Sequence, residues 1–361
     1  MNSETLDDLH LIAIGASAGG VHTLSDLISY LPNDLPAAVL VVLHLAPHGR
    51  SVLPAILSRA GVLEAIHPQD GELLKAGRIY VAPPDHHMAV QDGRLRLSRS
   101  ATENGHRPAI DVTFRTAALA YGTRCVGVVL TGNLDDGTAG LAAIKGCGGI
   151  AVVQDPREAL YPSMPESAIA EVAVDYVLPV ADMALVLQDL VRREPLDFVG
   201  DCGEKDGETT LLVGDWEGGA EVGQPTGLTC PECGGSLFET PGQGPDHFRC
   251  RTGHAYSPKS LLAKQTEALE GTLWAAMRAL EESAALARRL EHRSRKFGNA
   301  HAQTRYERRA LRAEAHAEQL RQVLASRDEE ADPEASQAEP SRSEEAERFA
   351  SPATAERASG G

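Results

Sequence analysis

Three side chains far apart in this sequence could together carry out acyl transfer: the hydroxyl of Ser17, the imidazole of His44 and a carboxylate at Asp135 or Asp136. A hydroxyl alone is a poor nucleophile; it needs a base to take its proton and usually an acid to orient that base. Ser17 lies in "LIAIGASAGGVHTL", where an apolar run leads through clustered glycines into a helix-like pattern. Gly15 and Gly20 have the spacing of the dinucleotide fingerprint, but Ser17 holds the place of its second glycine, where a pyrophosphate would need bare backbone. A hydroxyl is therefore presented at the head of a helix, where backbone N–H groups and the helix dipole favour negative charge. Taken alone, such a serine also reads as a helix N-cap. His44 closes the run "AAVLVVLHLAP", and the two aspartates follow "VGVVLTGNL". Singly, the histidine could merely end a strand and the aspartates could form a turn before Gly137. Together, at three strand ends, they read as a serine hydrolase with the chain order Ser, His, Asp.

The elements that must position them follow from hydrophobic patterning. From Leu11 to about Leu190, the apolar runs "LIAIG", "AAVLVVLHL", "RIYVAP", "VGVVLTG", "IAVVQD" and "VDYVLPV" alternate with helix-like segments. That alternation predicts a doubly wound α/β domain, its mostly parallel sheet covered by helices on both faces. "HMAVQDG" and "RLRLSRS" alternate around Asp92 and Gly93 and predict an inserted β-hairpin. Active sites of this architecture lie beyond the carboxyl ends of the strands, the rim expected to carry Ser17, His44 and the acid.

Downstream, the chain divides by composition. Residues 193–226 are polar and glycine-rich and read as a linker; 227–257 form a cysteine-bearing module; 258–326 are helical, opened by Ser257 and Pro258; 327–361 are acidic and compositionally disordered. Leu262, Leu269, Leu273, Leu280, Leu286 and Leu290 recur near helical periods, and Gly298 is a break, so a helical hairpin or a self-associating coiled coil is expected.

A net charge of -17 argues against a nucleic-acid platform, which needs clustered Lys and Arg. No stretch reaches the roughly 18 apolar residues of a membrane span, and the N-terminus lacks a signal-peptide pattern, so a cytoplasmic protein with no membrane insertion is expected. Six cysteines are too few for a disulfide scaffold. Three of them, Cys230, Cys233 and Cys250, fall with His254 in "CPECGGSLFETPGQGPDHFRCRTGH", the ligand set of a closed structural zinc site on a hairpin with "SLFE" and "HFRC" as strands. His247 competes as fourth ligand, but His254 has the paired spacing with Cys250. His86 and His87 look like a metal pair, yet no cysteine or suitably spaced carboxylate is near them.

From about Leu11 to Leu190 the chain resembles the CheB-type protein-glutamate methylesterase domain of bacterial chemotaxis, through "IGASAGG", "VVLHLAPHG", "DGELLKAGRIYVAPPDHHM", "RPAIDVTFRTAA" and "GVVLTGNLDDGTAGLAAIKGCGG". The resemblance implies hydrolysis of glutamate methyl esters on chemoreceptors, and in some members deamidation of receptor glutamines, with no catalytic cofactor. It implies Ser17 as nucleophile, His44 as general base and Asp136 as orienting acid; Asp136 is preferred to Asp135 because the family's acid directly precedes the glycine that Gly137 matches. Backbone amides around the Ser17 and Asn133 turns are expected to hold the oxyanion. Many members have Thr where Ala18 stands, and Met-Gly where this chain has Asn133 and Leu134, so side-chain contributions beside the triad are expected to differ. The resemblance also places His106 and Arg107 near the active-site face, where they either line the cleft or form a turn fixed by Pro108. Ser17 lies close to the start of the sequence, so no receiver domain is expected ahead of it, and control by aspartyl phosphate in cis is not expected. The competing expectation is a non-catalytic signalling adaptor, binding partners through the zinc module and the helices.

Overall fold

A computed structural model describes residues 9–47, 51–194, 202, 223–240 and 247–330. Most of the expected linker and the acidic tail beyond 330 lie outside the described residues. The chain divides into two compact units, Met1–Gln265 and Thr266–Gly361.

The first unit is built on a seven-stranded sheet of β1 (His10–Ala16), β2 (Ala37–Leu43), β3 (Glu64–Ile66), β4 (Arg78–Val81), β7 (Cys125–Val129), β8 (Ile150–Gln154) and β9 (Tyr176–Leu178). Their order is β3-β4-β2-β1-β7-β8-β9, and every pairing is parallel. All seven residues of β2 are buried, as a parallel strand covered on both faces requires. Alternate residues feed two core layers. Ile12, Ile14, Val39 and Val41 pack with α1 (Gly20–Ser29), α2 (Leu53–Ala60) and α6 (Val180–Leu190). Leu11, Ala13, Leu40 and Val42 pack with α3 (Ile110–Tyr121), α4 (Thr138–Gly146) and α5 (Ser163–Glu171).

The chain winds outward from β1 in both directions, so the strand order reverses between β1 and β7. Their carboxyl ends form the switch point where α/β sheets open a crevice. β5 (His87–Gln91) and β6 (Arg94–Ser98) form the expected hairpin, turning at Asp92 (φ 50) and Gly93 (φ 70), as a two-residue type I′ turn requires. The short strand β3 has no counterpart among the sequence-predicted runs; "EAI" is too brief to show a period.

A four-stranded antiparallel sheet follows: β10 (Gln224–Thr229), β11 (Ser236–Thr240), β12 (His247–Cys250) and β13 (Ala255–Tyr256). β10 begins inside the segment expected to be linker. Helix α7 (Pro258–Lys296) starts at the proline the sequence indicated, and α8 (Ala300–Glu330) follows Gly298 at φ 71. Within the second unit, Leu273, Met277 and Leu280 of α7 meet Ala317, Leu320 and Leu324 of α8, and Arg288–Glu314 and Arg321–Glu281 pairs flank them. Leu269 and Leu286 are exposed, so the leucine spacing marks more positions than the hairpin buries. Two of the remaining cysteines form a disulfide, Cys147–Cys202, joining the end of α4 to the one described residue between 195 and 222. No composition count could have paired them.

Candidate active site

Ser17 is the first residue past β1, His44 the first past β2, and Asp136 sits in the turn between β7 and α4. The three therefore converge because β1 is hydrogen-bonded to both β2 and β7. Ser17 Oγ donates to His44 Nδ1 at 3.0 Å, and His44 Nε2 donates to Asp136 Oδ2 at 2.7 Å. The imidazole is 8% exposed and the carboxylate 2%, so both bonds are largely shielded from water. With Nε2–H held by the carboxylate, the lone pair is left on Nδ1 facing the serine. This is the reverse of the ring orientation in chymotrypsin-like triads.

Ser17 does not cap α1: the N-cap is Gly19, with no side-chain cap bond. Its backbone is tied down instead, the Ser17 N–H donating to the Thr131 carbonyl at 3.0 Å and its own carbonyl accepting from Gly20 at 2.9 Å. Gly20 has no room for a side chain, since a Cβ there would lie 2.7 Å from both Ala16 Cβ and Leu43 Cδ1. That glycine serves helix–strand packing, as the third glycine of a nucleotide fingerprint does, without any nucleotide. Gly132 is equally constrained: a Cβ there would stand 2.8 Å from Ser17 Cβ and would run into the Met164 sulfur.

Asp136 accepts four hydrogen bonds. Besides His44, the donors are the Ile110 N–H (2.8 Å), the Asp111 N–H (3.3 Å) and Asn104 Nδ2 (3.0 Å). Two of these are first-turn amides of α3, where the helix dipole favours an anion. Asp111 returns the arrangement: its Oδ1 accepts from Gly137 (3.0 Å) and Gly140 (2.6 Å) at the start of α4. Burial alone would raise Asp136, but the His44 hydrogen bond and charge, the His106 charge and the Ile110 amide hold it below the usual carboxylate range. Burial, with the charges of Asp136 and Glu103 added, pushes Asp111 well above that range. Asp136 is thus the anion of the pair.

His106 stacks flat on His44, ring centroids 3.6 Å apart at 8°. Arg107 turns away to Asp85 (2.6 and 2.9 Å) and to the Ser100 carbonyl (2.6 Å). Ala18 contributes its carbonyl, which accepts from the Thr131 hydroxyl at 3.1 Å. Asn133 is exposed at the tip of the acid turn, and Leu134 beside it has φ 63, its carbonyl accepting from the Ser163 and Ser167 hydroxyls. Asp135 points elsewhere, its Oδ1 accepting from the Ser257 and Ser260 hydroxyls at 2.8 and 2.9 Å. His86 and His87 form no metal pair: His86 Nδ1 bonds the Pro84 carbonyl, and buried His87 donates to Ala101 and accepts from the Ala109 N–H. Sequence reasoning missed Asn104, Thr131 and Met164. Asn104 and Met164 carry no motif, and Thr131 stands within "GVVLTGNLDDG" with nothing local to mark its role; each is brought to the rim by packing.

Cys230, Cys233, Cys250 and His254 come together with all four ligand atoms within 4.8 Å of one another. Tetrahedral zinc with ordinary bond lengths spaces sulfur from sulfur by about 3.8 Å and sulfur from nitrogen by about 3.6 Å. The cluster has Cys233 Sγ–Cys250 Sγ at 3.6 Å, and His254 Nδ1 at 3.6 and 3.5 Å from Cys230 and Cys250 Sγ. The Thr252 hydroxyl and the Gly235 amide hold the Cys233 thiol down at about 6, whereas burial pushes Cys250 up. Thiols so crowded cannot all ionise without a cation among them, so the residues present fit a metal. His254 Nε2 lies 3.5 Å from the Glu232 carboxylate, the outer-shell partner that a metal-ligating imidazole usually has. His247 lies outside the cluster, with Nδ1 3.4 Å from the Tyr256 carbonyl. Among the described residues, no helix is long and apolar enough to cross a membrane.

The family model described as CheB methylesterase matches residues 12–187. A relative from Leptospira interrogans is 37% identical over 174 residues, 48% of this chain and 90% of that relative. Protein-glutamate methylesterase/protein-glutamine glutaminase 2 of Anaeromyxobacter dehalogenans is 36% identical over 184 residues, 51% of this chain and 54% of its own. The crystal structure of the Thermotoga maritima CheB methylesterase catalytic domain matches with a TM-score of 0.48 at 35% identity, covering 50% of this chain and 98% of that one. A chain that spans nine-tenths of a relative at this identity shares its family, and the present one belongs to the CheB methylesterase family.

Proposed function

We propose that this protein hydrolyses the methyl esters of glutamate side chains on methylated chemoreceptors or related signalling proteins. Ser17 is the nucleophile, His44 the general base and Asp136 the acid that orients it. The observation that carries this reading is the unbroken line of hydrogen bonds from Ser17 Oγ through both nitrogens of His44 to a buried, anionic Asp136. His44 Nδ1 takes the serine proton as Oγ bonds to the ester carbonyl carbon, then returns it to the departing methoxide, leaving a glutamyl-enzyme and methanol. Water, deprotonated by the same nitrogen, attacks the glutamyl-enzyme and releases the carboxylate and Ser17. The same site would deamidate glutamine, with ammonia leaving in place of methanol.

The oxyanion needs amides not already committed. Those of Ser17 and Gly132 donate to Thr131 and Tyr161, which leaves the Ala18 and Gly19 amides on one side and those of Asn133 and Leu134 on the other. Because backbone supplies the donors, Ala18 and Asn133 need no particular side chain for this step. His106, flat against His44, forms one wall of the cleft, and Arg107 holds that wall's loop through Asp85.

The proposed organisation is a catalytic domain over 5–192, a linker that ends where β10 begins at Gln224, a metal module to 257, helices from 258 to Glu330 and an acidic tail beyond. Zinc in the Cys230, Cys233, Cys250 and His254 cluster is structural, since four protein ligands leave no open position. The exposed leucines of α7 support self-association through the helices. A cytoplasmic location follows from a substrate on receptor signalling domains. The adaptor reading has less support, for a scaffold has no physical need of the three aligned side chains.

The test is methanol release from methyl-labelled receptor cytoplasmic fragments, with Ser17→Ala run beside the natural sequence. Release that vanishes in the folded variant supports the reading; equal release from both sinks it.

A further inference from the structure

Between the metal cluster and the acid of the triad runs a continuous set of polar contacts that hydrolysis itself does not call for. The segment Thr102–Asn104, just ahead of the His106 wall, is held by the cysteine module on one side and reaches Asp136 on the other. Thr102 Oγ1 donates to the Glu232 carboxylate at 2.7 Å, and that carboxylate also takes the Tyr256 hydroxyl at 2.8 Å and lies against His254. The main chains then bond in succession: the Ala255 N–H donates to the Thr102 carbonyl (3.2 Å) and the Asn104 N–H to the Ala255 carbonyl (2.8 Å). The segment is in effect an added strand beside β13.

Asn104 is the pivot. It is 1% exposed and has φ 54, an uncommon conformation for a residue with a side chain. Its Oδ1 accepts the Ser257 N–H at 2.9 Å, while its Nδ2 donates to Asp136 Oδ1 and to Asp111 Oδ2, both at 3.0 Å. A carboxamide can be flipped end for end with little change of shape, and its hydrogen-bond partners decide which end is oxygen. Here both ends agree: the Ser257 N–H takes the oxygen, and the two donor hydrogens face the carboxylates. Were Ser257 displaced, the buried oxygen would lose its donor and the side chain its anchor, leaving the amide free to swing away from Asp136. Ser257 and Ser260 grip the same turn a second time, through their hydroxyls on Asp135, the residue next to the acid.

We infer that the metal module and the start of α7 position the acid of the triad, through Asn104 and Asp135, so that metal occupancy sets the turnover of this esterase without the metal touching substrate. The inference rests on the proposed hydrolysis. The Leptospira relative, nine-tenths spanned by a 174-residue match, leaves no room for such a module. Asn104, Ser257 and Ser260 are positioning residues here. A misplacement of about 1 Å in catalytic geometry typically costs on the order of 10²-fold in rate, and that is the size of effect expected.

The test uses the full chain loaded with zinc, stripped with a chelator and reloaded, and follows both methanol release and the NMR signal of the His44 Nε2–H, assigned by its loss in His44→Gln. On stripping, kcat should fall on the order of 10²-fold while KM stays within about twofold. The His44 signal should shift or broaden, and reloading should restore both. Asn104→Ala should lose part of that factor when loaded and less than the full factor again when stripped, because one of the two paths is already broken. Unchanged turnover and an unchanged signal on stripping would overturn the inference. So would an Asn104→Ala chain that loses the full factor again. If stripping unfolds the chain, two variants decide in loaded protein: Ser257→Pro, which lacks the N–H and the hydroxyl, should lose turnover, and Ser257→Thr, which keeps both, should retain it. Equal turnover in that pair overturns the inference. If the loaded natural chain releases no methanol, the hydrolysis reading fails, and the His44 signal alone still shows whether the module holds the acid in place.

Discussion

Asp136 is surrounded by donors to a degree that an orienting acid uses and a turn residue does not. Two α3 amides, the Asn104 amide and His44 all point at one buried carboxylate, so its charge is fixed before any substrate arrives. Asp136→Asn would keep the shape of that pocket but offer His44 an amide, and an NH2 facing Nε2 would favour the wrong tautomer. Methanol release should then drop by roughly 10³- to 10⁴-fold with the fold retained, measured as kcat beside circular dichroism. At Gly132 the constraint is steric. Gly132→Ala would press a methyl on Ser17 Cβ and on Met164, and moving the hydroxyl from His44 Nδ1 should cost on the order of 10²-fold in kcat, alongside about 1–3 kcal/mol of stability from overpacking. A full-rate alanine variant would mean that Ser17 has more latitude than its neighbours imply.

The strands and helices around the site divide the labour between rigidity and attachment. β1, β2 and β7 are buried at every position next to the catalytic ends, and they carry Ser17, His44 and the acid turn on a frame that resists local opening. The small sheet β10 to β13 has a far thinner core, chiefly Leu237, Tyr256 and Leu261 with two of the cysteines. With zinc in the cluster, as proposed, such a sheet would depend on it for its fold, as small metal-bound domains generally do. Chelation should therefore expose the β11 and β12 amides to rapid hydrogen exchange while those of β1, β2 and β7 stay protected. Equal loss of protection in both sheets would show one cooperative unit instead.

Across the whole molecule, a buried ion pair ties the two sheets of the first unit to acid stability. Glu103 is 4% exposed and faces Arg115 through two hydrogen bonds, 2.6 and 2.8 Å. Burial would raise its carboxyl, but the Arg115 charge and hydrogen bonds outweigh it and hold Glu103 at about 2, against an ordinary 4.5. A carboxyl depressed in the fold lends stability that is complete above about pH 4.5 and is lost as the pH falls toward 2, here on the order of 3 kcal/mol. Denaturant unfolding at pH 6 and pH 3 should show roughly 2 kcal/mol of this loss, the remainder appearing only below pH 3. Glu103→Gln should be the less stable protein at pH 6, because the largely shielded Arg115 loses its carboxylate partner, yet should lose less between the two pH values. An identical pH slope in both would place the acid sensitivity elsewhere.

Much of this was legible in the sequence because it depends on local pattern. Unbroken apolar runs such as "AAVLVVL", alternating with helical segments, read as strands covered on both faces, Asp92 and Gly93 favour a tight turn, and Cys230, Cys233, Cys250 and His254 carry ligand spacing in one short stretch. Even the candidate trio could be named, since strand ends in a parallel sheet share one rim. Tertiary structure alone decided what depends on distance across the chain. It set which His44 nitrogen faces Ser17, turned His106 onto His44 and Arg107 away to Asp85, and gave Asp135 to Ser257 and Ser260 while Asp136 went to His44. It paired Cys147 with Cys202. It also placed Asn104, unremarked in its loop, between the metal module and the acid. Pattern reports which residues share a face or a turn; partners 122 or 153 positions apart, as Asp135 is from Ser257 and Asn104 from the same residue, are chosen only when separately folded elements pack.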